Sequence, residues 1–227
     1  MVKTGCRVTA DQLCDADEVV LATGIQPRTP DIPGIDHPSV LSYLEVLRDK
    51  RPVGKRVAII GAGGIGFDVA EYLSQPSHDE DRAAFYAEWG IDHSLTQRGG
   101  IVKPEPPAAL RQIWLLQRRT GKPGAGLAKT TGWIHRASLQ ARGVEMWGGV
   151  EYLAIDDSGL HLRRNGETLL LAVDNVIICA GQEPQRELEA ALRAQGQVVT
   201  VIGGADVAQE LDARRAIAQA TQLALTV

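Results

Sequence analysis

The sequence predicts an α/β fold with a central parallel sheet, and three observations support this class. Residues 57–60 form a short, wholly apolar run, which is typical of a strand buried on both faces. This run leads into a glycine-rich stretch and then into helical spacing of Ile65, Val69 and Leu73. The composition, with 24 glycines and 44% hydrophobic residues, also suits an α/β protein with a substantial core.

The glycine-rich stretch has the spacing G-x-G-x-x-G, formed by Gly61, Gly63 and Gly66. In a Rossmann-like unit the first glycine allows the tight turn, the second lets the backbone approach a pyrophosphate, and the third permits close helix–strand packing. The phosphates would face the positive end of the helix and its free N–H groups. Because a strand precedes the glycines and a helix follows them, the sequence predicts nucleotide binding. A merely structural glycine turn is the alternative.

The overall composition limits the classes of partner. The chain has 227 residues, enough for one large or two small domains, and its formal net charge is −4 without a basic run. Nucleic acid and anionic membranes are therefore poor candidates. No apolar stretch is long enough to span a bilayer, and no signal-peptide core is evident. The three separated cysteines and five unpaired histidines predict a cytoplasmic protein without a metal site.

The region before the glycine stretch contains short predicted elements. Residues 7–13 and 18–21 are predicted as strands, and the second strand ends in the small residues at positions 22–24. Small residues after a buried strand allow another backbone or a ligand to come close. Residues 25–38 are rich in proline and glycine and predict an irregular connection, whereas residues 40–50 have helical spacing.

An insertion interrupts the nucleotide-binding unit at about residues 74–110. A minimal unit reaches its second strand about 20 residues after the glycines, whereas here that strand, at residues 112–117, follows about 50 residues later. One short helix is predicted at residues 81–89. The insertion is either a surface excursion, or a flap over the nucleotide or a docking surface for another domain, and the sequence leaves these open.

The second strand ends in Arg118 and Arg119, which bear on coenzyme choice. An acidic residue at this position holds the ribose 2′-hydroxyl of NAD, whereas an arginine accommodates the 2′-phosphate of NADP. Guanidinium groups make paired, charge-assisted hydrogen bonds to phosphate oxygens. The sequence therefore predicts NADPH, although two arginines here could be only solvated charges. Lys122 and Lys129, in the loop that follows, would add positive potential.

The remainder of the unit alternates helix and strand. A helix is predicted over residues 132–141, with Thr131 as its cap and Gly143 as its end, followed by a strand at residues 144–147. Three further short strands, joined by D-S-G and N-G turns, predict a small antiparallel crossover at residues 150–155, 160–164 and 168–171.

One pattern occurs twice in the chain. Residues 18–27, EVVLATGIQP, and residues 175–184, NVIICAGQEP, share a polar residue, three apolar residues, two small residues, a glycine and a final proline. The copies bracket the glycine stretch, which suggests that the chain crosses twice between two related domains. After the second copy we expect a strand at residues 198–202 and a helix over residues 211–225, with Ile217, Thr221 and Leu225 spaced for burial.

This order resembles the flavoproteins in which an FAD domain is split around an inserted NAD(P) domain. More closely, the chain is similar to the C-terminal third of the bacterial NADPH-dependent 2,4-dienoyl-CoA reductases, a class related to old yellow enzyme. The matching runs cover nearly the whole chain and include LATGIQPRTP, VAIIGAGGIGFDVAEYLSQP, LQRRTGKPGAGLAKTTGWIHR, VDNVIICAGQEP and IGGADVAQELDARRAIAQ. The resemblance implies partial FAD-binding segments at residues 1–50 and 182–227, and an NADPH-binding domain at residues 51–181.

The resemblance also implies roles for individual residues. Those expected to hold the NADPH pyrophosphate are Gly61, Gly63, Gly64, Ile65 and Gly66. Those expected near its 2′-phosphate are Arg118 and Arg119, with Lys129 close by, and those near its nicotinamide are Ala180 and Gly181. Those expected to border FAD are Ala22, Thr23, Gly24, Asp206 and the backbone at Val207.

The resemblance implies a longer enzyme that also carries FMN and a 4Fe-4S cluster on a barrel domain. Hydride would pass from NADPH to FAD, and single electrons would pass through the cluster to FMN, which would reduce unsaturated fatty acyl-CoA in β-oxidation. This chain has no barrel, no cluster cysteines and no first FAD glycine motif. We therefore expect no residue of the acyl-CoA chemistry within it. The alternatives are a related enoate or amine oxidoreductase, and a non-catalytic nucleotide-binding module.

Overall fold

The computed structural model describes residues 1–75, 81–208 and 213–226. The strands, in chain order, are β1 Val19–Leu21, β2 Ile25–Pro27, β3 Val40–Ser42, β4 Arg56–Ile60, β5 Gln112–Leu116, β6 Glu145–Trp147, β7 Val150–Asp156, β8 Gly159–Arg164, β9 Glu167–Leu171, β10 Asn175–Ile178, β11 Gln182–Pro184 and β12 Val199–Val201. The α-helices are α1 Tyr43–Leu47, α2 Gly64–Ser74, α3 Arg82–Trp89, α4 Gly132–Ala141, α5 Glu189–Ala194 and α6 Ala213–Ala224.

The chain divides into two compact units. The terminal unit combines Met1–Arg28 with Gly181–Val227, and the central unit is Thr29–Ala180. The compact units divide after residue 28, since β3 pairs with β10 inside the central unit, whereas the cofactor-binding domains expected from the resemblance, with bounds at residues 50 and 181, stay a prediction. The helix expected over residues 40–50 is correspondingly a strand followed by α1, whose start is fixed by a capping box between Ser42 and Glu45.

The central unit is built on a five-stranded parallel sheet in the order β3-β10-β4-β5-β6. Alternate side chains of β4 enter opposite cores, because side chains along a strand point alternately to its two faces. Val57 and Ile59 pack with α2 and α4, whereas Ala58 and Ile60 pack with the antiparallel sheet β7-β8-β9. Both faces are therefore buried, as the wholly apolar strand predicts, and the expected fold class is confirmed.

The insertion contributes the expected short helix, α3, and residues 76–80 lie outside the described part. No residue of α3 is buried. The helix is nevertheless attached to the sheet's helical layer, because Glu88 pairs with Arg142 at the end of α4 over 2.8 Å. Both side chains are largely withdrawn from solvent, at 14% and 7% exposure, so this ion pair fixes the insertion at one point.

The terminal unit contains two pairs of short strands. β1 and β12 run parallel over a small apolar cluster that includes Leu21 and Leu192, and β2 pairs antiparallel with β11. The strand expected at residues 7–13 is wrong, because Ala10–Leu13 forms a 3₁₀ turn in which the Thr9 N–H donates to the Gln12 side chain. The connection expected over residues 25–38 likewise begins with an ordered strand, β2.

Helix α6 forms as expected over its described residues, and residues 211–212 lie outside the described part. The expected burial of its apolar positions is wrong: no residue of the helix is buried, and Ile217 is 64% exposed. Helical spacing predicts which side chains share a face, but whether that face is covered depends on what packs against it.

Candidate functional site

The turn between β4 and α2 can be formed only with glycine at two positions. Gly61 has φ +115°, and an added Cβ there would overlap the backbone carbonyl of Cys179. An added Cβ at Gly66 would overlap the carbonyl oxygen of Gly61. Gly61 therefore permits the tight turn and the close approach of the chain after β10, and Gly66 permits the close packing of the helix on the turn, as their places in the motif predict.

The two glycines between them are open to solvent. An ideal Cβ at Gly63 or Gly64 meets no atom within 4 Å. Gly63 is the N-cap of α2, and no side chain caps the helix; the Gly63 carbonyl accepts from the Phe67 N–H at 3.1 Å. Ile65 is half-buried behind them. The helix start thus presents an uncapped, side-chain-free surface, which is the geometry that a phosphate group requires.

The loop that carries Arg118 and Arg119 is held by backbone hydrogen bonds to the chain after β6. The Gln117 N–H donates to the Trp147 carbonyl at 2.9 Å, and the Gly149 N–H donates to the Arg119 carbonyl at 2.9 Å. Both guanidinium groups are exposed, and neither has a carboxylate partner among the described residues. The backbone is therefore fixed while the two cations remain available to a ligand.

The next loop contains an attachment that the sequence did not reveal. The Arg136 guanidinium donates to the carbonyls of Pro123, at 3.1 Å, and Gly124, at 3.0 Å. Gly124 packs so closely on the ring of Phe67 that a Cβ would overlap it. The loop is thereby held against α2, the helix that begins at the glycine turn. Lys129, in the same loop, is exposed.

Cys179 and Ala180 extend from β10, the neighbour of β4, and so lie at the same edge of the sheet as the glycine turn. The Cys179 N–H donates to the Ile60 carbonyl at 2.8 Å. Burial raises the pKa of the Cys179 thiol to about 12, and the negative charge of Asp68 acts in the same direction. The thiol therefore stays protonated at neutral pH and is not a thiolate nucleophile.

In the terminal unit, the A-T-G segment is fixed against the chain that follows β11. The Thr23 hydroxyl donates to the Gln185 carbonyl, and the Gln185 N–H donates to the Gly24 carbonyl at 2.9 Å. Gly24 and Gly181, equivalent in the two copies of the repeat, have φ +77° and +98° and precede β2 and β11. The two copies therefore pair with each other, a relationship that the repeated pattern did not predict.

Asp206 is oriented by a glutamine that the sequence reasoning missed. The Gln219 side-chain carbonyl accepts from the Gly203 N–H, and its amide donates to the Asp206 carboxylate, each at 2.8 Å. Arg186 donates to the Asp206 carbonyl at 2.7 Å, and Arg215 donates to the Val207 carbonyl at 2.6 Å. Gln219 is one of several polar residues in α6, and no pattern in the sequence distinguishes it from the others.

The expected site residues thus fall into two groups, one in each unit. At the carboxyl edge of the parallel sheet lie Gly61, Gly63, Gly64, Ile65, Gly66, Arg118, Arg119 and Ala180. The terminal unit contains Ala22, Thr23, Gly24, Gly181, Asp206 and Val207. Residues 22–24 follow strand β1, residues 206–207 follow strand β12, and these two strands are parallel neighbours. Among the described residues, no helix is long and apolar enough to cross a membrane, and no group of three or more His, Cys, Asp or Glu side chains is placed to hold a metal.

Comparison with known proteins gives consistent matches. A family model described as pyridine nucleotide-disulphide oxidoreductase matches residues 2–213. Cinnamate reductase of Clostridium sporogenes is 26% identical over 196 residues, which are 86% of this chain and 24% of that protein.

Two solved structures share the fold. A 2-naphthoyl-CoA reductase in complex with 2-naphthoyl-CoA matches with a TM-score of 0.68 and 21% identity, over 92% of this chain and 27% of the other. The 6-hydroxypseudooxynicotine amine oxidase of Pseudomonas geniculata N1 matches with a TM-score of 0.66 and 22% identity, over 91% and 29%. The chain therefore spans 24–29% of the length of these three relatives.

Proposed function

This chain belongs to the pyridine nucleotide-disulphide oxidoreductase family, and from that premise we propose that it is the NADPH-binding and FAD-contacting portion of a reductase similar to 2,4-dienoyl-CoA reductase. Membership of the family implies a flavin-dependent oxidoreductase that uses FAD and NAD(P)H. In this proposal the central unit binds NADPH, and the terminal unit forms part of the FAD domain.

The observation that carries the proposal is the contrast among the four motif glycines. Gly61 and Gly66 are packed against backbone, whereas Gly63 and Gly64 face open space at an uncapped helix start. A structural turn needs only the first pair. The open pair serves a ligand whose charged group approaches the backbone, and a pyrophosphate has that charge and size. Arg118 and Arg119, exposed and without carboxylate partners among the described residues, support NADPH over NADH.

The protein's own part in this chemistry is binding and orientation. When both cofactors are bound, NADPH supplies a hydride that FAD accepts. The α2 N-terminus would hold the pyrophosphate, and the small residues Ala180 and Gly181 would leave room for the nicotinamide. In the terminal unit, Asp206, oriented by Gln219, would hydrogen-bond the FAD ribityl chain, and the backbone at Val207 would lie near the flavin. No side-chain acid or base is needed for hydride transfer between two cofactors.

We propose an unsaturated fatty acyl-CoA, in β-oxidation, as the final substrate of the whole protein. The sequence resemblance to 2,4-dienoyl-CoA reductases over nearly the whole chain supports this, and one fold relative is a reductase of an aromatic CoA ester. The residues that act on the acyl group, together with FMN and a 4Fe-4S cluster, would belong to a barrel domain outside these 227 residues. A related enoate or amine oxidoreductase is the second candidate, supported by the cinnamate reductase and amine oxidase matches.

The test is a substrate panel with the intact native gene product. We expect NADPH oxidation to depend on a 2,4-dienoyl-CoA and not on free cinnamate or an amine. Turnover with cinnamate or an amine alone would replace the acyl-CoA proposal by the second candidate. An intact product without flavin absorbance would instead support a non-catalytic nucleotide-binding module.

A further inference from the structure

Tyr152 has a buried hydroxyl with no partner, beside the proposed 2′-phosphate site. The residue lies on β7 directly opposite Leu162, and its ring packs on the apolar cluster between the two sheets. Its hydroxyl oxygen is shielded from solvent and makes no hydrogen bond in the structure. An unsatisfied buried hydroxyl destabilises the folded state, so its retention calls for an explanation.

The strand that carries Tyr152 begins against the loop of Arg118, because the Val150 N–H donates to the Gln117 carbonyl at 3.1 Å. Burial raises the pKa of Tyr152, and the positive charge of Arg118 opposes that rise. The phenol is therefore neutral at physiological pH, and its oxygen can accept a hydrogen bond from a guanidinium N–H. Arg118 is exposed, and the backbone on either side of it is held by the Gln117–Trp147 and Gly149–Arg119 hydrogen bonds.

A third arginine, Arg164, is connected to the same loop through Val150, whose N–H donates to the Gln117 carbonyl at 3.1 Å. Arg164 is opposite Val150 on the inward face of β8, and its guanidinium stacks on the ring of Trp147 at 4.7 Å from the centroid. The Arg164 Nε is buried without a hydrogen-bond partner. The neighbouring Arg163 points to the opposite face and pairs with Glu151 at 2.9 Å.

Arg118, Arg119 and Arg164 together carry a positive charge that no ion pair balances. In the described part of the chain none of the three pairs with a carboxylate, whereas Arg163 pairs with Glu151. Trp147 contacts both the loop of Arg118 and Arg164. Its carbonyl accepts from the Gln117 N–H, and its ring stacks with the Arg164 guanidinium. Uncompensated guanidinium groups held at one edge of a sheet attract an anion.

We propose that Tyr152 and Arg164 complete the site for the 2′-phosphate of NADPH. Tyr152 is a positioning residue: its hydroxyl accepts a hydrogen bond from Arg118 and holds that guanidinium toward the phosphate. Arg164, fixed on Trp147, adds a positive charge to the same site. This inference rests on the proposed NADPH function and specifies which residues outside the strand-end arginine pair determine coenzyme choice.

The test measures the Kd values of NADPH and NADH calorimetrically for the full 227-residue chain and three variants. We expect Tyr152→Phe to weaken NADPH binding about 5- to 10-fold, less than the loss of a direct hydrogen bond to the phosphate because Arg118 itself remains, with the NADH Kd unchanged. Arg164→Met, which keeps the apolar stem, should act in the same direction, and Arg163→Met is the matched control without effect. The melting temperature of Tyr152→Phe should not fall, because the change removes an unsatisfied buried hydroxyl.

The outcomes separate this inference from the function on which it rests. If the unmodified chain binds both coenzymes equally, the NADPH assignment fails and the inference fails with it. If the unmodified chain prefers NADPH and Tyr152→Phe keeps the full preference, only the inference is overturned. Equal weakening of both coenzymes by Tyr152→Phe would show a merely structural role and would also overturn it.

Discussion

At the scale of single residues, the motif glycines differ in what they do although the sequence motif treats them alike. Gly66 is required by the backbone, since any side chain would overlap the Gly61 carbonyl. Gly63 has φ −88° and ψ −171°, a conformation open to every residue, and its Cβ position is empty. The fold therefore needs glycine at position 66 but not at position 63.

This difference gives a prediction with an internal control. Gly63→Val should abolish NADPH binding, because its side chain occupies the space that the pyrophosphate needs, while the circular dichroism spectrum and melting temperature stay unchanged. Gly66→Ala should instead lower the free energy of unfolding by about 1–3 kcal/mol, as overpacking does. Normal NADPH affinity in Gly63→Val would mean that the nucleotide binds elsewhere.

A second prediction concerns the two strand-end arginines. Replacing both Arg118 and Arg119 by serine should remove the preference for NADPH, which we expect to be about 10- to 150-fold, from about 1.5–3 kcal/mol of charge-assisted hydrogen bonding. Both side chains are exposed, so the fold should be unaffected. Titration calorimetry with NADPH and NADH checks this prediction. Equal affinities of the unmodified chain for the two coenzymes would contradict the assignment of NADPH as the preferred coenzyme.

At the scale of secondary-structure elements, α6 is held by polar contacts rather than by an apolar face. None of its residues is buried, and Gln219 links it to both Gly203 and Asp206. The helix is therefore attached to the segment that follows β12 by two polar side chains, Gln219 and Arg215, which donates to the Val207 carbonyl at 2.6 Å. Of these two, Gln219 also fixes the carboxylate that we propose for FAD binding.

Gln219→Ala should loosen this element, with Arg215 left to hold it at Val207. The change leaves the Gly203 N–H and the Asp206 carboxylate without these partners, at a cost of about 1.5–3 kcal/mol in the stability of the terminal unit. Hydrogen exchange should accelerate over Ala213–Ala224, while the central sheet keeps its protection. Gln222→Ala, at an exposed position of the same helix, is the control; equal exchange in both variants would show that Gln219 does not hold the helix.

At the scale of the whole molecule, the terminal unit is incompletely covered. Two apolar side chains of its parallel strand pair are exposed: Val20, in β1, is 43% exposed, and Val198, directly before β12, is 59% exposed. Parallel strands are normally buried on both faces. The sequence also contains one G-x-G-x-x-G motif for the two dinucleotides that the family uses.

We therefore predict that the 227-residue chain by itself purifies colourless, binds NADPH and self-associates through its exposed apolar surface. It should not oxidise NADPH in response to a 2,4-dienoyl-CoA. Absorbance spectroscopy and light scattering test the first statements. A yellow preparation with near-stoichiometric flavin, or turnover dependent on dienoyl-CoA, would contradict the prediction.

The sequence determined the central unit almost entirely. The apolar run of β4, the glycine spacing and the N-G hairpin are local signals, because strand burial, tight turns and positive φ are set by residues close in the chain. These signals were sufficient for strands β4, β5 and β6 of the parallel sheet, for α2 and α4, and for the antiparallel crossover. They also identified Gly61 for the tight turn and Gly66 for close packing, and the structure agrees with both.

Only the tertiary structure decided what depends on distant contacts. Residues 40–42 form a strand because β10 offers an edge with which they pair. The apolar side chains of α6 are spaced along one face, yet no residue of the helix is buried in the described structure. Tyr152, Arg164 and Gln219 carried no local signal, since the roles that we infer for them depend on residues that the fold brings close: Arg118, Trp147 and Asp206. Hydrogen bonds and stacking between residues distant in sequence leave no periodic pattern, so they become visible only when the chain is folded.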